Sequence, residues 1–301
     1  MPQLDMDITG LLYDHYGTLK QKGFKGYDPF DGLNSRIFRG SPCFRSRALR
    51  LIWIQAFKKS PLNFRPLARV PTGFNPKGLA LLIRGLINFW TLTGREEFLQ
   101  DARSLAGKII AQRARDRGYL CVGYDFFWEA RVFSVPAFTP NMVVSATAGQ
   151  AFLDLYDADG DAKWLDHARE IGEFIEKELI LTESADDMVF GYVPGKSDRV
   201  HNVNLMGAAF FARLSSYTGK ERHGEYAIKA SRYSVHSQQA DGSWLYGESR
   251  HHRWVDNFHT GFNLVALHAV HRHFPDDLWR RSIAFRMICG GGTSIRGSIT
   301  T

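Results

Sequence analysis

Apolar positions along the chain fall into two alternating helical patterns. "LLIRGLINFWTLTGREEFLQDARSLAGKII" (81–110), "GQAFLDLYDADGDAKWLDHAREIGEFI" (149–175) and "GAAFFARLSSYTGKERHGEYAIKASRYSV" (207–235) share one plan. Each is an apolar helix, an aromatic residue, a tight turn and a second helix with a central alanine. A fourth copy begins at "GFNLVALHAVHRHFPDDLWRRSIAF" (261–285), with Pro275-Asp276 in its turn. The turn residues Gly94, Gly160, Gly219 and Asp276 are spaced by 66, 59 and 57 positions, so the unit is a helical hairpin plus a connecting loop. First helices are dense in apolar and small residues, as in Leu79 to Trp90 and Leu205 to Leu214. Second helices alternate apolar and charged positions, as in Trp164, Leu165, Ala168, Ile171, Phe174 and Ile175. First helices therefore belong inside and second helices outside, which predicts an all-α fold, an α/α toroid of repeated hairpins.

The connecting segments repeat as well. "RDRGYLCVGYDFFW", "ADDMVFGYVPG" and "HSQQADGSWLYG" each follow an outer helix and carry glycine and aromatic residues. The hairpin repeat resembles the superfamily of six-hairpin glycosidases and terpenoid cyclases over roughly 75–285, and "QQADGSW" is similar to the repeat by which squalene-type cyclases clamp outer helices with a glutamine and a tryptophan. "GYDPFDGLNSR" and "NPKGLALLI" resemble uncharacterised prokaryotic proteins associated with polysaccharide biosynthesis, which implies a glycan context. A complete barrel of this kind has six inner helices; here there are four, plus a helix expected over Ser46 to Lys58. After Phe285 the periodicity stops in "RMICGGGTSIRGSITT". The expectation is one toroid domain over 1–287, incomplete at its C-terminus, that includes an N-terminal segment (1–42) and is followed by an atypical tail (288–301). The tail reads either as a truncated or frameshifted end or as an ordinary disordered one.

The resemblance also sets tests that the residues answer. Class II terpene cyclases use the central acid of a DxDD motif, whereas the nearest run here, Asp157-Ala158-Asp159-Gly160-Asp161, is not DxDD and has turn composition. As a calcium loop it fails too, because its glycine is fourth rather than sixth. Cys289 and the histidines show no ligand spacing, so no metal and no cofactor are expected.

In a toroid the inner-helix N-termini surround one mouth of the barrel. Here they read Asn75-Pro76-Lys77, Thr139-Pro140-Asn141, His201-Asn202-Val203-Asn204 and Asp256-Asn257-Phe258-His259-Thr260. Asn75 and Thr139, each before a proline, read as helix caps. The other two clusters hold more polar side chains than a cap needs. Helix N-termini favour anions and polar ligands. Substrate-binding candidates are therefore Asn75, Lys77, Asn141, His201, Asn202, Asn204 and Asn257, with Trp244 as an aromatic platform. Carboxylate candidates are Asp125, Glu129, Glu248 and Asp256, each set near an arginine such as Arg131, Arg250 or Arg253 that offers a plain salt bridge instead. His259 completes the catalytic candidates Asp125, Glu129 and Asp256. The segment "GYDPFDGLNSR" adds Tyr27, Asp28, Asp31, Asn34 and Arg36, and reads either as a folded surface loop or as a lid over the mouth.

Composition narrows these readings. The chain of 301 residues is 44% hydrophobic, enough for a large core, and no apolar run reaches the ~20 residues of a membrane span. Three separated cysteines suit a reducing compartment, and a cytoplasmic location is expected. The net charge of +7 suits an anionic partner such as nucleic acid, phosphorylated lipid or acidic sugar. Nine basic residues cluster between Arg36 and Arg69, but the aromatics among them (Phe38, Phe44, Trp53, Phe57, Phe64) read as the buried side of a helix, which argues against nucleic acid. The sequence thus favours a carbohydrate or other polar, anionic small molecule bound at the mouth by a hydrolase, lyase or epimerase. A terpenoid-cyclase or prenyltransferase-like enzyme and a non-catalytic glycan-binding scaffold are the alternatives.

Overall fold

The computed structural model describes residues 8–129 and 134–289, with side chains from residue 10 to 284. Arg131 and the tail from residue 290 lie outside the described residues. The chain is all-α in character. Four antiparallel hairpins follow one another: α4 (Pro76–Thr93) with α5 (Glu96–Ile110), α6 (Met142–Asp159) with α7 (Ala162–Glu178), α8 (His201–Thr218) with α9 (Glu221–His236), and α10 (Asn257–His273) with α11 (Asp277–Cys289). The first helices pack side by side in the order α4, α6, α8, α10, and each second helix covers its own partner from outside. This is the two-layered α/α toroid that the apolar pattern predicts.

Local chemistry explains the hairpins. Gly94, Gly160 and Gly219 adopt φ of +68°, +69° and +64°, the left-handed conformation that ends a helix and reverses the chain. Asn75, Asn141, Asp161 and Asp256 cap the helices that follow them. The second cap is thus Asn141 rather than Thr139, which stands two residues outside the helix. Helices α6 and α8 are buried almost all round, whereas α7 and α9 bury one stripe only. Phe152, Phe174, Phe190, Phe210 and Phe211 are fully buried in the shared core, each stabilising the fold by roughly 1.5–3 kcal/mol relative to exposure.

The glutamine–tryptophan segment performs an architectural role. Gln238 donates from Nε2 to the Ser282 carbonyl and accepts from Ser282 Oγ at 2.7 Å, which binds the start of the loop to α11. Trp244 donates from Nε1 to the Ser234 carbonyl of α9 at 2.7 Å and is buried. The two outer helices are tied by the two residues that the repeat resemblance singles out.

Two N-terminal elements differ from expectation. Helix α1 (Ile8–Gln21), which the sequence reading does not identify, packs Tyr13 and Tyr16 against Phe89 and Phe98 of the first hairpin. Helix α3 (Arg47–Lys59) exists where a fifth inner helix is expected, but it packs on two 3-10 turns (Asp31–Asn34 and Pro42–Arg45) and on strand β1 (Trp128–Glu129), outside the ring. Its apolar side is already used by Phe38, stacked on Trp53 at 4.5 Å, and by Phe57 over Gly32. With the short helix α2 (Arg36–Arg39), these pieces make a small lobe beside the barrel.

Inner helices approach closely where glycine permits. A Cβ on Gly149 would lie 2.4 Å from the buried Phe210 ring, whereas one on Gly85 of α4 would meet nothing within 4 Å. We therefore expect Gly149→Ala to destabilise the protein by about 1–3 kcal/mol despite alanine's higher helix propensity. Gly85→Ala should stabilise by up to ~1 kcal/mol. Urea denaturation of both variants reads the contrast.

Candidate functional site

The N-terminal segment closes against the start of α4. Gly26 and Gly73 exchange two backbone hydrogen bonds, and the Asn34 side chain donates to the Asp125 carbonyl at 3.0 Å. Asn75 does double duty: its Oδ1 caps Lys77 N–H, and its Nδ2 donates to Asp28 Oδ2 at 2.8 Å. Asp28 Oδ1 accepts from Phe30 N–H, and Asp31 accepts from Asp28 N–H and from Arg65 Nε at 2.7 Å. The segment that reads as loop or lid is thus a fixed wall of the mouth. Between it, α4 and the loop at Asp125 lies a cleft of about 280 Å³, lined by Tyr27, Asp28, Asp31, Asn34, Asn75 and Asp125 among others.

The electrostatics of this cleft are set by burial. Removal from water is the main reason the Asp125 carboxyl is pushed up to about 6; the charges of Asp28 and Asp31 contribute to the rise, and the N–H groups of Asp125 itself and of Phe74 oppose it. Its carboxylate occupies the space a side chain at residue 73 would need, because a Cβ on Gly73 would lie 2.2 Å from Oδ2. Lys77 is pushed the other way: burial lowers its pKa, opposed only by the nearby Asp28. Among the described residues, Lys77 has no hydrogen bond or ion pair through its ammonium.

Three tyrosines, one from each outer-to-inner loop, converge beside this cleft. The first N–H of α6 donates to the Tyr192 carbonyl at 2.9 Å, and the first N–H of α8 donates to the Tyr246 carbonyl at 3.1 Å. These bonds use donors that the helices cannot satisfy internally, and they fix each tyrosine at the mouth. Tyr124 and Tyr192 share a side-chain hydrogen bond, and Tyr246 is within electrostatic reach of both. Desolvation raises all three phenols, Tyr124 to about 12.

On the far side, Asp256 caps α10 through Oδ1 and meets His259 Nδ1 through Oδ2 at 2.8 Å. The imidazole is held between Tyr246 (4.6 Å), Trp254 (5.2 Å) and Phe258 (5.2 Å). Trp254 stacks on Tyr246 at 4.5 Å and 12° and is 41% exposed, so it offers a flat apolar plate to solvent. Phe258 leads to Phe262, and the Phe262 ring lies 5.7 Å from Lys77 Nζ. Tyr124, Tyr192, Tyr246 and His259 thus follow one another along the rim, and Phe258 and Phe262 lead on from His259 to Lys77. Such a rim combines proton donors and acceptors with aromatic faces, the equipment for binding a sugar and moving a proton on it.

The structure divides the sequence candidates. Asp28, Asp31, Asn34, Asn75 and Asp125 line one cleft, with Tyr27 on its rim under Arg65; Lys77 lies in the first turn of α4, and Asp256, His259 and the exposed Asn257 lie at the start of α10. Others have structural surroundings. Glu129 is buried, and its two oxygens accept from Arg47 and Arg50 at 3.0 and 2.8 Å, so it holds α3 to the barrel. Asn204 accepts from Phe190 N–H and donates to Ala230 and Ser234, and Asn141 is a cap. Trp244 lies in the core; the exposed plate is Trp254, ten residues on. Arg36 projects from the separate lobe. Glu248 contacts Tyr233 and faces Arg199 at 3.6 Å on the outer side. His201 packs beside Tyr233, its pKa lowered by burial, and its Nδ1 and Asn202 Oδ1 find no partner among the described residues. Sequence reasoning missed Tyr192. The signal was present in the repeated Gly-Tyr of "VGYD" and "FGYV".

A second, wider depression of about 740 Å³ lies at the end of α5. Of its arginines, Arg113 and Arg117 are paired with Glu170, Asp116 and Glu178, whereas Arg115 is exposed with no ion pair among the described residues; the mouth, with its desolvated carboxyl, is the better candidate site.

No protein-family model and no curated protein matches the sequence. Solved structures do match the fold. A glycoside hydrolase family 76 α-mannanase of Bacteroides thetaiotaomicron has a TM-score of 0.52 and 14% identity, covering 71% of this chain and 56% of its own. The α-1,6-mannanase of Salegentibacter sp., in an inactive variant with two adjacent aspartates replaced and α-1,6-mannotriose bound, has a TM-score of 0.56 and 15% identity, over 77% and 63%. Cellobiose 2-epimerase of Bacillus thermoamylovorans has a TM-score of 0.58 and 10% identity, over 86% and 73%. The chain spans less than two thirds of the length of these mannanases. At such identities the likeness establishes the α/α-toroid fold alone.

The raised Asp125 carboxyl has a consequence for stability. The folded state binds this proton more tightly than the unfolded chain, so ionisation penalises folding increasingly from pH ~4 and fully above ~6. Asp125→Asn should therefore leave stability little changed at pH 4 and raise it by about 1–3 kcal/mol at pH 7.5. Urea melts at the two pH values measure it, and equal or lower stability at pH 7.5 would contradict the assignment.

Proposed function

We propose that this protein is a carbohydrate-active enzyme whose acid–base site is the barrel mouth, with Asp125 as the proton donor. The observation that carries the reading is the Asp125 carboxyl held at about 6 inside a cleft, with a second carboxylate, Asp28, lining the same cleft. Two carboxyls in different surroundings are what acid-catalysed cleavage of a glycosidic bond requires. Asp125 protonates the leaving oxygen, and Asp28, fixed by Asn75 and Phe30 N–H, serves as its carboxylate partner. Trp254 and Tyr246 supply an apolar face for a sugar ring. Asn34, Asn75 and the tyrosine hydroxyls supply hydrogen bonds to sugar hydroxyls.

The fold neighbours support the substrate class, since the Salegentibacter mannanase holds an α-1,6-mannotriose and the epimerase is named for cellobiose. This chain has two adjacent aspartate pairs of its own, and neither belongs to the mouth. Asp186-Asp187 faces Arg232 and His236 of α9, and Asp276-Asp277 stands in the turn before α11. The acids that line the cleft are instead Asp28, Asp31 and Asp125, and with Asp31 paired to Arg65 the proposed pair is Asp28 with Asp125.

A second reading rests on the Asp256–His259 pair. A carboxylate on Nδ1 leaves Nε2 free to take a proton from a sugar carbon next to a carbonyl, the first step of epimerisation.

One set of assays separates these readings. Incubation with α-1,6-mannotriose and with cellobiose in D2O, followed by mass spectrometry and NMR, distinguishes cleavage from epimerisation with deuterium incorporation at carbon. For cleavage, kcat/KM should fall as pH rises through ~6, and Asp125→Asn should lower kcat by about 10²–10⁴ while His259→Gln has a smaller effect. A rate independent of pH between 5 and 8, or an Asp125→Asn variant of full activity, would remove Asp125 from the mechanism. Deuterium incorporation that is lost in His259→Gln would establish the second reading in its place.

A further inference from the structure

The positive charge of the chain is concentrated in one segment. From Gly32 to Arg95 there is no aspartate or glutamate, and there are 12 lysines and arginines. The whole chain has 38 basic and 31 acidic residues, so everything outside this segment carries 26 and 31, a net charge of −5. The overall +7 is therefore the property of one region.

Some of these cations are used internally. Arg47 and Arg50 bind Glu129, Arg65 binds Asp31, Arg84 binds Asp154, Arg95 meets Glu97, and Lys77 sits in the mouth. Arg36, Arg39, Arg45, Lys58, Lys59 and Arg69 are exposed and have no ion pair among the described residues. All six belong to the lobe built from α2, α3 and the segment that follows them. Arg36 N–H donates to the Arg69 carbonyl at 3.3 Å, so the cations of α2 and of residue 69 are adjacent. Arg69 is held at a φ of +52°, left-handed backbone that a non-glycine residue rarely adopts.

The same lobe exposes apolar side chains between its cations. Ile37, between Arg36 and Arg39, is 52% exposed; Leu67, beside Arg69, is 78% exposed. On α3 the face opposite the packed Trp53, Ile54 and Phe57 presents Leu49, Ile52, Ala56 and Lys59 at helical spacing, with Ile52 64% exposed. Leu62 and Phe64 follow in the next loop, also exposed. Cations alone would suit any polyanion. Cations interleaved with protruding aliphatic side chains suit a surface that is anionic outside and apolar beneath. Of the aromatics of this lobe that could stack on bases, Phe38, Trp53 and Phe57 are packed inside it and Phe64 is exposed, a single ring among more numerous exposed aliphatic side chains.

We propose that the α2–α3 lobe docks the protein on the surface of an anionic phospholipid bilayer, cations on the headgroups and Ile37, Ile52 and Leu67 in the interfacial layer. No described helix is long and apolar enough to cross a membrane, so this is attachment from one side. The lobe also supplies the Asp31–Asn34 wall of the mouth, so docking brings the site close to the bilayer surface. The proposal does not depend on the enzymatic reading.

The test is co-sedimentation of the full chain with vesicles of phosphatidylcholine alone and of phosphatidylcholine with 30% phosphatidylglycerol. Wild type should bind the anionic vesicles, bind the neutral ones weakly, and release at 0.5 M NaCl. Removing three cations with Arg36→Gln, Arg39→Gln and Arg69→Gln should weaken binding on the order of a hundredfold. Ile52→Ser with Leu67→Ser should weaken it with the charges intact. Circular dichroism and a thermal melt show that each variant is folded, as expected for exposed positions. Absence of binding to the anionic vesicles overturns the proposal. So does a triple variant that binds them as wild type does, or tighter binding to a 30-nucleotide single-stranded DNA at the same salt concentration.

Discussion

The first free N–H of an inner helix, bonded to the carbonyl of a tyrosine in the next loop, is the interaction on which the mouth depends. A helix start leaves donors without partners, and in α6 and α8 the leading one is taken by Tyr192 and Tyr246 respectively. The bond has two effects at once. It locks each hairpin to the loop of its successor, and it sets the tyrosine side chain at the barrel mouth. Helix α4 begins with Pro76, which has no N–H to satisfy, and there the wall is completed by Asn75 reaching to Asp28. Repetition of the backbone thereby generates a repeated side-chain rim.

That rim is polar but poorly hydrated, and its chemistry follows from the mismatch. A carboxyl, an ammonium and three phenols all move toward their neutral forms because burial penalises their charged ones. The N-terminal segment is what excludes the water. It is joined to the barrel by the Gly26–Gly73 bridge and by Asn34, and without it Asp125 would face solvent. Elsewhere charge is handled differently: Glu129 and Asp154 are each met by two arginines, which fixes structure. The contrast between Asp125 and Glu129, four residues apart, is the difference between a desolvated acid and a satisfied salt bridge.

Much of the architecture is legible along the chain because it depends on local rules. The turn glycines, the caps at Asn75 and Asp256, the apolar inner helices and the striped outer ones all follow from spacing and backbone preference. The clamp formed by Gln238 and Trp244 is legible through its repeat resemblance. What is not legible has one origin. Trp244, Asn204 and Glu129 are residue types suited to a site, but each meets a partner distant in sequence, Ser234, Ala230 and Arg50 respectively, that absorbs its polar group. Helix α3 has the periodicity of an inner helix, yet its apolar side is filled by the preceding turns before it can reach the ring.

The sequence by itself determined the hairpin, its repetition and the concentration of polar residues at the inner-helix N-termini, because these depend on helical period and on capping chemistry within a few residues. Only the tertiary structure decided which of those polar residues share a cleft. The segment around Asp28, the start of α4 and the loop of Asp125 are separated by tens of positions. Their meeting is fixed by the curvature of the helical layer and by long-range hydrogen bonds. Burial, which sets the protonation of Asp125 and Lys77, is a property of that assembly and not of any stretch of sequence.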